Sequence, residues 1–136
     1  MATIIQIMNA DRNLSMFCKA LKSSGMEEQL NELGPFTILG PVNLALKNQM
    51  SLSFDQMMEP LNLDKLLGFL SGYVLVGKKM FGDFHNNQRL PSVDGKEVLV
   101  TIQNEEIFIN GSKILSRDRQ GSNGVIHLLG NIYKTG

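Results

Sequence analysis

One cysteine, no tryptophan and two histidines in 136 residues remove several kinds of chemistry at once. A lone cysteine closes no internal disulfide, so the chain is not a disulfide-stapled scaffold and its redox compartment is not readable. His85, His127 and Cys18 form no cluster with metal-ligand spacing, and neither a metal nor a cofactor is expected. Charge of one sign is missing too. Lys plus Arg and Asp plus Glu number 13 each, so no overall field favours nucleic acid or an anionic membrane. No apolar run approaches the roughly 20 residues that span a bilayer. The start, Met1 to Met8, lacks the cationic and apolar regions of a signal peptide. The expectation is therefore a cytosolic protein or a mature domain cut from something longer.

Catalytic signatures are equally scarce. There is no Gly-x-Ser-x-Gly elbow and no Gly-x-Gly-x-x-Gly leading from a strand into a helix. Glu27-Glu28 and Glu105-Glu106 are adjacent carboxylates. Adjacent side chains point apart on a strand, whereas glycoside hydrolysis needs two acids facing one bond across a cleft. Both pairs read as solvated surface, and the chain reads as a non-enzyme.

Apolar residues make up 43% of the chain, enough for a core, and their periodicity changes along it. The first half is helical. Ile4, Ile5, Ile7 and Met8 predict a short helix. Asp11 or Asn13 caps a second that carries Leu14, Phe17, Cys18 and Leu21 and stops at Gly25. Cys18 reads as a small buried hydrophobe, not a reactive thiol. Met26 to Leu33 makes a third short turn or helix, broken by Gly34-Pro35. Phe36 to Leu39 is a compact strand, and Asn43 to Met50 and Phe54 to Met58 are further helices. A longer helix from Leu61 to Leu70 places Leu63, Leu66, Leu67 and Leu70 on one face. Met50, Met57 and Met58 read as core or rim packing.

The second half is strand. Tyr73 to Val76 is a fully apolar run, read as a central strand, and Gly82 to Arg89 is an exposed polar loop. Val98, Val100 and Ile102, then Ile107 and Ile109, alternate with period two. Asn110-Gly111 is a hairpin signal, because a type I′ turn needs positive φ at both central residues. Val125 to Leu129 is apolar on both faces apart from His127, as a buried strand should be. Asn13-Leu14-Ser15 and Asn110-Gly111-Ser112 fit the N-glycosylation pattern, the second on a hairpin tip. Helices first and hairpins after argue for an α+β fold.

Four segments in order resemble the fasciclin-like adhesion domain family. Gly34-Pro35-Phe36-Thr37-Ile38-Leu39-Gly40-Pro41-Val42-Asn43-Leu44-Ala45-Leu46 is similar to its first motif, Gly-Pro-Phe-Thr-Val-Phe-Ala-Pro-Thr-Asn-x-Ala-Phe. Leu66 to Gly77 is similar to its Tyr-His strand. Leu90-Pro91-Ser92-Val93-Asp94-Gly95 is similar to its Leu-x-Thr-Leu-x-Gly turn. Asn123-Gly124-Val125-Ile126-His127-Leu128-Leu129 nearly repeats its second motif, Asn-Gly-Val-Ile-His-Val-Ile. There are departures. Val42 replaces the usual Thr, Gly72-Tyr73 stands for Tyr-His, and Arg119 stands where an aliphatic residue follows the acid Asp118.

The resemblance covers almost the whole chain, 1–136, as a single domain. It implies a wedge-like twisted β-sandwich of about seven short strands with about six short helices. It implies a non-catalytic adhesion module, extracellular or at the cell surface, binding a surface or matrix protein or a glycan. The alternative is a small soluble protein holding a small-molecule or glycan ligand between helices and sheet. Pro41, Asn43, Asn123, Gly124 and His127 are expected to hold the fold. Pro41 would open a helix, Asn43 would cap it, and Asn123-Gly124 would form a turn. The expected partner contact is Tyr73, Val74 and Leu75 with Lys79 and Arg89, and Asp118 nearby.

Overall fold

The computed structural model describes residues 1–32, 34–50 and 52–133. Helices come first: α1 (Ile4–Asn9), α2 (Ser15–Ser24) and α3 (Met26–Glu32), then strand β1 (Phe36–Pro41). Three more follow, α4 (Asn43–Gln49), α5 (Phe54–Met57) and α6 (Leu63–Ser71). The remaining strands are β2 (Val74–Val76), β3 (Arg89–Pro91), β4 (Glu97–Gln103), β5 (Glu106–Ile109), β6 (Ser112–Gly121) and β7 (Gly124–Leu129). Leu33, the expected end of the third helix, lies outside the described residues.

Local chemistry starts and stops these helices. Thr3 and Gln6 form a capping box at α1, and Ser53 and Gln56 form another at α5. Asp11 accepts the Asn13 N–H ahead of α2, and Gly25, with φ of 84°, ends that helix. On α6 only Leu66 and Leu70 are buried, whereas Leu63 is exposed. The four-leucine face predicted there is narrower than expected, because Leu63 sits at the first turn beyond the core.

The strands form one α+β architecture in the order β2-β1-β7-β6-β5-β4-β3. The β1–β7 pair is parallel and the others are antiparallel. The sheet curls until its two edges meet, through a bridge between Leu75 and Ser92 and a bond from the Val93 N–H to the Val74 carbonyl, 2.9 Å. The expected sandwich is thus one sheet folded nearly into a barrel, with its edges mutually covered. β2 is an edge strand, not the central strand its composition suggested. It is apolar because Val74 and Leu75 are wholly buried, with β1 paired on one side and Ser92-Val93 meeting it on the other. β7 is an interior strand between β1 and β6, fully buried, as expected.

Two tight hairpins set the register of β4, β5 and β6. Asn110 and Gly111, with φ of 48° and 85°, separate the paired Ile109 and Ser112. Asn104 and Glu105, φ 52° and 67°, do the same between Gln103 and Glu106. The second turn uses the same backbone as the first without a glycine, so its sequence signal is weak.

Candidate partner-binding surface

Three segments converge at one place: a bulge in β6, a strap above it, and His127 of β7. Strand β6 bulges between Ile114 and Arg119, which leaves Asp118 with φ of 58° and turns 117–118 outward. A strap, residues 77–84, runs over this bulge and ends in a 3-10 turn at Phe81–Asp83. His127 of β7 lies beneath both and is wholly buried.

The histidine ties strap to bulge. Its Nδ1 accepts the Asp118 N–H at 3.2 Å, so the neutral ring carries its proton on Nε2 and donates it to the Lys79 carbonyl at 2.7 Å. Burial lowers its pKa, with the Lys79 carbonyl and Asp118 opposing and Arg117 adding to the shift. Phe84 packs edge-on to the imidazole, 5.4 Å between centroids. The expected exposed loop therefore has a buried anchor, because Phe84 fills the space beside His127.

Other bonds fix the strap further. The Asp118 carboxylate accepts the Phe81 N–H at 2.8 Å. Thr37 donates its hydroxyl to the Gly77 carbonyl and accepts the Lys79 N–H, both at 2.7 Å. Lys78 donates to Gln120 at 2.8 Å, and Arg117 stacks over the Phe81 ring at 4.0 Å. The result is a rigid, outward-facing ridge carrying Lys78, Lys79 and Arg117.

Of the expected contact residues, the structure brings together Lys79 and Asp118, through His127. Arg89 is exposed on the edge strand β3 at the far end of the same loop. Tyr73, Val74 and Leu75 are fully buried, so the expectation that they touch a partner is corrected. The Tyr73 hydroxyl donates to the Tyr133 carbonyl at 3.1 Å and accepts the Tyr133 N–H at 2.8 Å. The two rings stack at 4.4 Å, and the Tyr133 hydroxyl donates to the Gly72 carbonyl at 2.8 Å. Burial raises both phenol pKa values. Tyr73 is a clasp for the C-terminal segment. No local sequence pattern marks Tyr133, because its partners Tyr73 and Gly72 lie about 60 positions away.

The motif residues act across the fold. The Asn123 Oδ1 accepts the Ile4 N–H at 3.0 Å and its Nδ2 donates to the Leu30 carbonyl at 2.7 Å, joining α1 and α3 to the sheet. The turn itself is Ser122-Asn123, since Gly124 already pairs with Gly121 and Phe36. A Cβ on Gly124 would lie 2.1 Å from the Phe36 carbonyl oxygen. Close strand approach, more than turn chemistry, requires this glycine. Asn43 does not cap its own helix. Its Oδ1 accepts the Met16 N–H at 2.9 Å, and its Nδ2 donates to the Arg12 carbonyl and the Ser15 hydroxyl, each at 2.8 Å. Pro41 ends β1, paired with Leu129, instead of opening α4.

Asn110, the hairpin-tip glycosylation candidate, is half-buried and its Oδ1 accepts the Leu99 N–H at 2.7 Å, while Ser112 is buried. Cys18 is half-buried, its thiol pKa pushed up to about 11 by burial, then by Glu27 and Asp11. The space between α2, α6 and the sheet is filled by Leu14, Phe17, Leu70 and Tyr73, all essentially inaccessible. Among the described residues no group of three or more His, Cys, Asp or Glu side chains is placed to hold a metal ion. No described helix is long and apolar enough to cross a membrane.

A single curled sheet with helices packed ahead of it, pinned by an Asn-Gly and a buried histidine, makes up this α+β domain. The Fasciclin domain model matches residues 12–132, and the chain belongs to that family. Human periostin is 30% identical over 92% of this chain, which spans 14% of periostin. The pig transforming growth factor-beta-induced protein ig-h3 is 26% identical over 98% of the chain, which spans 19% of that protein. Protein sll1483 of Synechocystis is 26% identical, over 96% of this chain and 72% of its own length. The structure of a domain pair from the insect cell adhesion molecule Fasciclin I superposes with a TM-score of 0.73 at 18% identity, covering 96% of this chain and 50% of that one.

Proposed function

We propose that this chain is a single, non-catalytic adhesion domain that acts outside the cell or at its surface, binding a surface or matrix protein or a glycan. The family match carries the reading. The strap supports a site for it: Lys78, Lys79 and Arg117 stand on a backbone held from below by His127, Thr37 and Asp118. A preorganised surface loses little entropy on binding. Exposed cations on such a surface act chiefly on the rate of encounter with an anionic partner. Lys79 and Arg89 contribute to that field, with Asp118 shaping the ridge through its bond to Phe81.

The test is association of the purified domain with immobilised cell-surface and matrix extracts, with protein-digested and glycan-digested arms to separate the two partner classes. The Lys79→Glu, Arg89→Glu double variant is expected to associate more slowly at low salt with an unchanged melting temperature. Identical kinetics for variant and wild type would remove the strap from the interface.

A further inference from the structure

Away from the strap, the chain carries a projecting apolar knob and an apolar groove whose flanking charges are opposite. The knob is Glu59-Pro60-Leu61-Asn62-Leu63-Asp64, where a 3-10 turn at Pro60–Asn62 enters α6. Leu61 is 96% exposed and Leu63 42%, flanked by the exposed carboxylates of Glu59 and Asp64. The turn is stiff. The Asn62 N–H bonds the Glu59 carbonyl at 2.8 Å, and the Asn62 Nδ2 bonds the Gln56 carbonyl at 2.7 Å. An isolated exposed leucine is ordinary, but one held out on a braced turn between two acids is a preformed anchor.

The groove lies between α4 and strands β6 and β7, with a volume of about 530 Å³. Val42, Leu44, Leu115 and Leu128 give it an apolar floor, and Leu44 and Leu115 are themselves 67% and 56% exposed. Its charged lining is Lys47 and Arg119. Arg119 pairs with Asp11, while among the described residues Lys47 has no carboxylate partner. With Arg119 neutralised by Asp11, the groove keeps the Lys47 cation, while on the knob Glu59 and Asp64 outnumber the adjacent exposed Lys65.

We propose that the knob of one molecule seats in the groove of a second copy, Leu61 on the leucine floor and Glu59 or Asp64 toward Lys47. A net charge of zero leaves no long-range repulsion against such pairing. The contact joins two different surfaces. Two copies either exchange knobs and close, or add head to tail. Its area is small, so association belongs with weak, transient contacts and is sought at up to about 1 mM protein. The proposal is independent of the strap face.

Sedimentation of the full chain tests it, using Leu61→Asp to disable the knob and Leu44→Asp to disable the groove. Both positions are exposed, and unchanged melting temperatures confirm that each variant folds. Wild type is expected to self-associate, and each variant alone to lose at least tenfold in association constant. An equimolar mixture of the two variants is expected to recover a heterodimer, because one supplies an intact knob and the other an intact groove. A wild type that stays monomeric throughout, variants that associate like wild type, or a mixture that recovers nothing would each overturn it.

Discussion

His127 holds Asp118 by its backbone, not its charge: the ring accepts the Asp118 N–H at 3.2 Å while its other nitrogen donates to Lys79. A proton added to Nδ1 removes that acceptor, so the latch requires the neutral ring. Because burial lowers the folded-state pKa, the unfolded chain takes up the proton more readily. The stability this group contributes is therefore present above its unfolded value near about 6.5 and is lost as pH falls below it. The melting temperature should be flat above about pH 7 and fall toward pH 5.5. In His127→Phe that slope should shrink, at a cost of about 1–3 kcal/mol for the two orphaned backbone groups. Melts across pH for both proteins check this.

Asn123→Ala leaves the Ile4 N–H and the Leu30 carbonyl without their partner, and should destabilise by about 2–3 kcal/mol. Asn123→Asp keeps the acceptor for Ile4 but turns an oxygen toward the Leu30 carbonyl. Urea titration should therefore show no rescue by Asp.

Gly124→Ala should cost about 3 kcal/mol or more, because the added methyl meets the Phe36 carbonyl at 2.1 Å and strand β1 has to move. Gly111→Ala meets nothing within 4 Å and pays only for its φ of 85°, about 1–2 kcal/mol. Denaturant midpoints for the pair decide whether close approach outweighs backbone preference.

Tyr73→Phe removes both hydroxyl bonds to Tyr133 and should destabilise by about 1–3 kcal/mol. Hydrogen exchange at the Tyr133 amide should quicken, while partner association should not change. Lost binding with an intact fold would restore Tyr73 as a contact residue.

Cys18 should label slowly with a disulfide reagent at pH 8, since burial pushes its thiol pKa up to about 11. Cys18→Ala should cost about 1 kcal/mol. Thiol release kinetics and a thermal melt suffice.

Periodicity and turn chemistry alone determined the helical first half, the Asn110-Gly111 hairpin and the buried run Val125 to Leu129, because each depends on residues within a few positions of one another. The motif segments carried the family in the same way. What only the tertiary structure decided is what those motif residues touch. Asn123 bonds Ile4 and Leu30, Asn43 bonds Met16, and Tyr73 bonds Tyr133, across 119, 93, 27 and 60 positions respectively. An apolar run such as Tyr73 to Val76 reads the same whether it is central or at a covered edge. The burial of Tyr73, Val74 and Leu75, which takes them out of any contact surface, depends on the sheet curling until β2 meets Ser92.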